Sequence, residues 1–171
     1  MSLETLMNTL PASGRIDWIG VRGARRGALV MPAEIELDPA SGIVGDHYGG
    51  RTGKRHLTLV QSEHAPVVAA LTGRAHDDRE AIFERLRRNL AVSGLNLLAL
   101  AKRRFYLGEV LVEGTGLAHP CSRMEEAFGA GGYNAVRGHG GITARVLSPG
   151  RIRLGDAVRI ATDIDETPHR G

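Results

Sequence analysis

Apolar and polar residues alternate in short runs along this chain, and glycine or proline closes most of them. Ala33–Leu37 puts Ile35 and Leu37 on one face and Glu34 and Glu36 on the other, the period of a strand with one buried face. His56–Val60 (HLTLV) has the same character. Ile16–Val21, Leu90–Val92 running into Gly94, Phe105–Leu107, Val110–Glu113, Ile142–Leu147 and Ile152–Ile160 complete the predicted strands. Gly108, Gly114, Gly116, Ser148-Pro149-Gly150 and Gly155-Asp156 supply turn chemistry between them.

Helical signals are fewer. Ser62 can cap a helix with Val67, Val68 and Leu71 as its apolar stripe, ending at Gly73. Asp77 with Glu80 resembles a capping box opening a second helix through about Glu84. Asn96 can cap a short turn through Leu100. A fourth helix is predicted from near Cys121 to Phe128, ahead of the glycines at 129–132. Closely spaced strands separated by turn residues point to a β-barrel or sandwich rather than a doubly wound α/β sheet. The expected fold is mainly β with a few short helices, as one domain over residues 15–160. Residues 1–14 and 161–171 read as flexible termini.

Composition narrows the picture. The 171 residues are 42% hydrophobic and 24% charged, enough apolar surface for an ordinary core. Only 4% are aromatic, which argues against a base-stacking platform, and a net charge of +3 is too small to make nucleic acid the main partner. It leaves room for a local basic pocket that takes a small anion. No apolar run approaches membrane-spanning length and no signal pattern opens the chain, so a cytoplasmic protein in a reducing compartment is expected, with no membrane partner.

The lone cysteine, Cys121, excludes an intramolecular disulfide and a multi-thiolate zinc site. Pro120 suits the first turn of a helix, which would place Cys121 in that turn, where unpaired amides and the dipole favour a thiolate. His119 and Arg123 add positive potential. A thiolate is both a nucleophile and a soft metal ligand. The competing readings are a small packed apolar residue and a Cys–His nucleophile pair using His119 or His139.

Other polar groups cluster along the chain. Asp46-His47 precedes a glycine-rich basic run, Gly49 to His56, that includes Arg55 and could approach an anion closely. Arg87-Arg88-Asn89 precedes an apolar strand. On a strand the two arginines would face opposite sides, one meeting an anion or a carbonyl and the other solvent. Asn89 offers a donor and an acceptor. Gly138–Gly141 is too short for a dinucleotide fingerprint, and neither a P-loop nor an HExxH motif is present.

Taken in order, Gly45-Asp46-His47, Arg55-His56-Leu57, Arg88-Asn89-Leu90 with Gly94–Leu97, Phe105–Glu109, Pro120-Cys121, and Gly141–Leu147 through Gly150–Asp156 resemble the MOSC domain, named after the C-terminal part of molybdenum cofactor sulfurase. The resemblance implies a closed β-barrel and a pocket for the molybdenum cofactor, a phosphorylated pterin with a dithiolene-bound metal (molybdopterin). It implies that Cys121 is the catalytic sulfur, ligating molybdenum or carrying a persulfide. It implies that Arg88, Asn89, Asp46, His47, Arg55 and Arg123 shape or hold the cofactor. Its partners would be the pterin or a small-molecule substrate, and a sulfur- or electron-donor protein. The chain length leaves no room for a pyridoxal-phosphate desulfurase domain, so a minimal module is expected. The alternative is a non-catalytic barrel that binds an anion or a partner, with a packed cysteine.

Overall fold

The computed structural model describes residues 1–47 and 52–162. Its elements run α1 (Leu3–Asn8), β1 (Gly14–Ile19), β2 (Val21–Arg22), β3 (Leu29–Val30), β4 (Glu34–Asp38), β5 (Gly42–Ile43), β6 (Leu57–Gln61), α2 (Ala65–Leu71), α3 (Arg79–Leu86), β7 (Leu90–Ser93), β8 (Arg104–Leu107), β9 (Val110–Leu117), α4 (Arg123–Phe128), α5 (Gly132–Val136), β10 (Ile142–Val146), β11 (Gly150–Arg153) and β12 (Ala157–Ile160). Short 3-10 turns occupy Ser62–His64 and Leu97–Leu100. No helix among the described residues is long and apolar enough to cross a membrane.

Seven strands close into a barrel in the order β1-β12-β8-β9-β10-β6-β7, which decides for the barrel over the sandwich that the alternation also allowed and agrees with the family resemblance. Every pair is antiparallel except β6 with β7. A parallel pair needs a crossover, and α2 and α3 provide it. Leu59 of β6 and Leu90 and Val92 of β7 belong to the apolar cluster that fills the barrel. Their neighbours Val60 and Ala91 face a second cluster, built with Val68, Ile82, Phe83 and Leu86 of the crossover helices. All five residues of β6 are therefore buried, since both faces of the parallel pair are covered.

Several local expectations change. Gly114 and Gly116 do not end a strand: β9 runs through them to Leu117, with a register shift against β10. A Cβ on Gly114 would lie 2.0 Å from the Leu100 carbonyl oxygen, so this glycine permits a close crossing under a 3-10 turn. The predicted strand Ile152–Ile160 is two strands. Asp156 accepts a hydrogen bond from the Arg153 amide at 2.8 Å and turns the chain, so β11 pairs with β4 outside the barrel while β12 closes it.

Ser62 makes no cap for α2, whose buried residues are Ala65, Val68 and Ala69, while Val67 and Leu71 are exposed. The cap of α3 is Asp78, one residue later than expected, accepting from the Ala81 amide at 2.8 Å. Asn96 caps its turn as read. Within 1–14, the six-residue α1 forms but buries none of its residues. The elements β3, β5 and α5 are too short to have shown a period.

His56 lies just before β6, buried, with Nδ1 accepting the Val146 amide at 3.1 Å. Burial first, and then the Arg145 charge, lower its pKa, with Asp38 opposing. Burial and the charge of His139 lower that of His64. Both rings favour the neutral form in the folded state. Their stabilisation is complete above the unfolded pKa of about 6.5 and is lost as pH falls below it. Thermal melts between pH 8 and 5 should show a declining melting temperature below that point. His56→Asn, which keeps an acceptor, should flatten the decline and leave the share of His64. An unchanged slope in the variant would remove His56 from this account.

Candidate functional site

Four chain segments meet at one end of the crossover and enclose a cleft of about 450 Å³. The β2–β3 hairpin contributes Arg22, Arg25 and Arg26. The segment between β5 and β6 contributes Asp46, His47 and Arg55. The α3–β7 junction contributes Arg87, Arg88 and Asn89, and the approach to α4 contributes Cys121, Arg123 and Met124, with Gly20 and Thr58 completing the wall. All seven residues singled out in the sequence therefore line a single cleft. The residues at 48–51 of the basic run lie outside the described residues.

The two adjacent arginines both reach this cleft, against the expectation that they would face opposite ways. Neither is on a strand. α3 ends at Leu86, and Arg87 takes a left-handed conformation (φ 58°) that breaks the alternation before β7 begins. Arg88 is 5% exposed, and its guanidinium donates to three backbone carbonyls: Gly140 at 2.7 Å, Leu86 at 2.9 Å and Ala118 at 3.3 Å. One side chain thereby ties α3, the loop before β10 and the segment leading to Cys121. A Cβ on Gly140 would sit 2.2 Å from the Ala118 oxygen, which explains the glycine beside this knot.

Asn89 acts as a brace. Its Oδ1 accepts from the Thr58 amide (3.0 Å) and hydroxyl (3.1 Å), and its Nδ2 donates to the Gly20 carbonyl at 3.3 Å. Its acceptor is thus committed to β6. Asp46 accepts the Arg22 amide at 3.0 Å through Oδ1. His47 Nδ1 lies 3.0 Å from the Arg22 carbonyl. A carbonyl only accepts, so Nδ1 carries a proton. Together these two residues anchor the start of the arginine hairpin.

Cys121 is exposed, so the packed-cysteine reading fails. Its expected place in a helix also changes. α4 begins at Arg123 with Ser122 as its cap, and Cys121 precedes it, accepting the Met124 amide at 2.9 Å through its carbonyl. Cys121 therefore lies one residue before the cap and not in the first helical turn. Its positive surroundings come instead from arginines. Neither His119 nor His139 lines the cleft; His139 faces His64, with Nδ1 atoms 3.4 Å apart. Neither proposed Cys–His pair therefore shares the cleft.

The charge balance is lopsided. Among the described residues seven arginines line the cleft against one carboxylate, Asp46. Among the described residues none of the seven is in an ion pair, whereas Arg15, Arg79, Arg85, Arg104, Arg151 and Arg153 elsewhere all are. Burial, then the nearby Arg55 charge, lowers the Arg88 pKa to about 10, with a Cys121 thiolate opposing; the side chain is still a cation at neutral pH. Burial, Arg22 and Arg123 lower that of Arg87, with Cys121 and Glu126 opposing. Unbalanced guanidiniums around an accessible sulfur suit a multiply charged anion with a thiophilic atom. The sequence reading missed Arg22, Arg25 and Arg26. Their signal was present, an Arg-Gly-Ala-Arg-Arg-Gly turn.

A barrel with an arginine-lined, cysteine-bearing cleft at its crossover defines the class of protein. The MOSC domain family model matches residues 44–159, and this chain belongs to that family. The structure of the YuaD protein of Bacillus subtilis is similar at a TM-score of 0.71 and 19% identity, over 88% of this chain and 97% of that one. YiiM from Geobacillus stearothermophilus is similar at 0.65 and 20% identity, over 87% and 75%. YiiM from Escherichia coli is similar at 0.63 and 19% identity, over 89% and 71%. None of the curated proteins compared with the chain matches it.

Proposed function

We propose that the cleft binds the molybdenum cofactor, with its phosphate among the arginines and Cys121 as the protein's ligand to molybdenum. The observation that carries this reading is an exposed sulfur opening on a cleft of guanidiniums that form no ion pair among the described residues. The donor set fits the group. Guanidinium forks match phosphate oxygens bidentately, and a thiolate matches a soft metal. Among the described residues no three His, Cys, Asp or Glu side chains converge to hold a metal ion, so a bare ion would find one protein ligand here. A metal arriving with its own dithiolene needs no more than that.

When bound, the group would supply a redox-active metal. This chain's residues do the rest. Arg87 and Arg88 neutralise charge beside the sulfur, Asn89 keeps the barrel wall closed behind it, and Asp46 with His47 fixes the arginine hairpin. Such a site supports molybdenum-dependent reduction or passage of sulfur through Cys121, and either role requires a donor protein as partner.

The test is molybdenum content of protein produced anaerobically, together with mass spectrometry of Cys121. Wild type should retain molybdenum. Cys121→Ala should lower metal per chain at least about tenfold, as losses of far weaker metal contacts do. Because Cys121 is exposed, the melting temperature should hardly move. Equal metal in both proteins, or none in wild type expressed with molybdate, overturns the reading. A persulfide on Cys121 without molybdenum would assign sulfur carriage instead.

A further inference from the structure

We infer that His64 and His139 form a binding site for a divalent transition-metal ion, gripped by two imidazole nitrogens and open to water on its other sides. The site is separate from the cleft, which neither histidine lines.

The first observation is spacing. The two Nδ1 atoms are 3.4 Å apart, while the ring centroids are 4.9 Å apart. The nitrogens are therefore the near corners of the two rings, which stand at 89° to each other and do not stack. A hydrogen bond from an N–H donor ordinarily spans about 2.7–3.2 Å, so the gap is wide for one imidazole donating to the other. It matches the bite of a metal. Two nitrogens about 2.0–2.1 Å from a tetrahedral centre lie about 3.3–3.4 Å from each other.

The second observation is that both rings are held in place and in the ligating form. His64 ends the 3-10 turn Ser62–His64 and precedes α2, which has Pro66 in its first turn. The His139 amide donates to the Val136 carbonyl at 2.8 Å, and the carbonyl of the next residue, Gly140, accepts Arg88 at 2.7 Å. Both histidines are half-buried, so an ion can reach them. Two neutral imidazoles with facing Nδ1 atoms share either a proton or a cation, because two lone pairs repel. Burial and then the His139 charge disfavour a proton on His64, with Glu63 opposing, and the neutral ring is the one that ligates. Imidazole suits Zn²⁺, Cu²⁺ or Ni²⁺ and not the oxygen-seeking Mg²⁺ and Ca²⁺. Among the described residues no third His, Cys, Asp or Glu joins the pair, so the remaining positions belong to water. An ion here bridges the crossover helix α2 to the loop before β10, which carries one carbonyl of the Arg88 knot.

The test titrates the full-length Cys121→Ala chain, in which the cleft sulfur takes no part, with Ni²⁺ and with Mg²⁺. Electron paramagnetic resonance is recorded on the same chain with one equivalent of Cu²⁺. Ni²⁺ should bind at one ion per chain, and Mg²⁺ should not bind. The copper spectrum should show coupling to two imidazole nitrogens. His64→Phe and His139→Phe should each weaken Ni²⁺ at least about tenfold, as losses beyond the ligands themselves already do. The double variant should be little weaker than either single one, since the first change already breaks the chelate. His119→Phe, at an exposed histidine, should change nothing. The nitrogen count on the chain with both histidines needs no Phe variant, so it decides the matter even where such a variant fails to fold. Absence of saturable Ni²⁺ binding would leave the two rings sharing a proton and would overturn the inference. So would a copper spectrum without two nitrogens, or a Ni²⁺ affinity that survives both substitutions.

Discussion

Gly141→Ala is expected to leave the chain without a stable barrel. Gly141 has φ +86°, and a Cβ there would lie 1.8 Å from the Leu59 carbonyl oxygen, 2.8 Å from its carbon and 2.9 Å from the Val60 Cα. All three are backbone atoms of β6, so no rotamer change can relieve the overlap. Moving β6 would break its ladder with β10 at Ile142–Leu59 and with β7 at Leu59–Leu90. Moving the loop would pull the Gly141 carbonyl from the Ala118 amide, which it accepts at 2.9 Å. A clash of this kind belongs with the most damaging single substitutions, above about 4 kcal/mol, against a total of about 5–15 kcal/mol for a typical domain. The measurement is soluble yield and thermal melting, with Gly138→Ala as the matched control. Gly138 has φ +80° but nothing within 4 Å of its Cβ, so it should lose only about 1–2 kcal/mol of backbone preference. Similar behaviour of the two variants would show that the close approach to β6 is unimportant.

Arg88→Met should produce the next largest loss. The substitution keeps an unbranched apolar stem and removes the donors, leaving the carbonyls of Leu86, Ala118 and Gly140 without their partner. Buried acceptors deprived of a charged donor are expensive, while removing a buried cation recovers some desolvation energy. The balance is a loss of about 2–4 kcal/mol, or about 5–15 °C in melting temperature for a domain of this size. Arg88→Lys should recover only part of this, because an ammonium cannot reproduce the planar fork. The segment from Ala118 to Cys121 loses its anchor in either variant, so molybdenum retention should fall although the sulfur is intact. A melting temperature within about 2 °C of wild type would mean that water or another donor replaces the guanidinium.

Much of the barrel was legible because most of its strands bury one face more than the other. Ile142, Ala144 and Val146 against Thr143 and Arg145 show this on β10. The alternation cannot say where a strand ends when a glycine inside it serves a crossing rather than a turn. Gly114 is that case, since its reason is the Leu100 carbonyl and not its own neighbours in the chain. The split of β11 from β12 likewise depends on β4, which takes one of them out of the barrel. The start of α4 after Cys121 was missed because proline and the apolar pattern left two residues of latitude.

The candidate site divides in the same way. Asp46, His47, Arg55, Arg88, Asn89, Cys121 and Arg123 stood out by residue type and order, and the closed barrel brings them to one cleft. Their work could not be read from order. Arg88 was an anion ligand or a carbonyl ligand until Gly140, 52 residues away, supplied the carbonyl. Arg87 and Arg88 appeared to face opposite sides until the left-handed turn at Arg87 undid the strand geometry.

By itself the sequence determined most of the strand pattern and which side chains can carry soft-ligand and anion chemistry, because these follow from local pattern and side-chain type. Only the tertiary structure decided that seven arginines share a cleft with one accessible sulfur and form no ion pair among the described residues. That arrangement is set by barrel closure and by contacts between distant segments, on which a local period is silent.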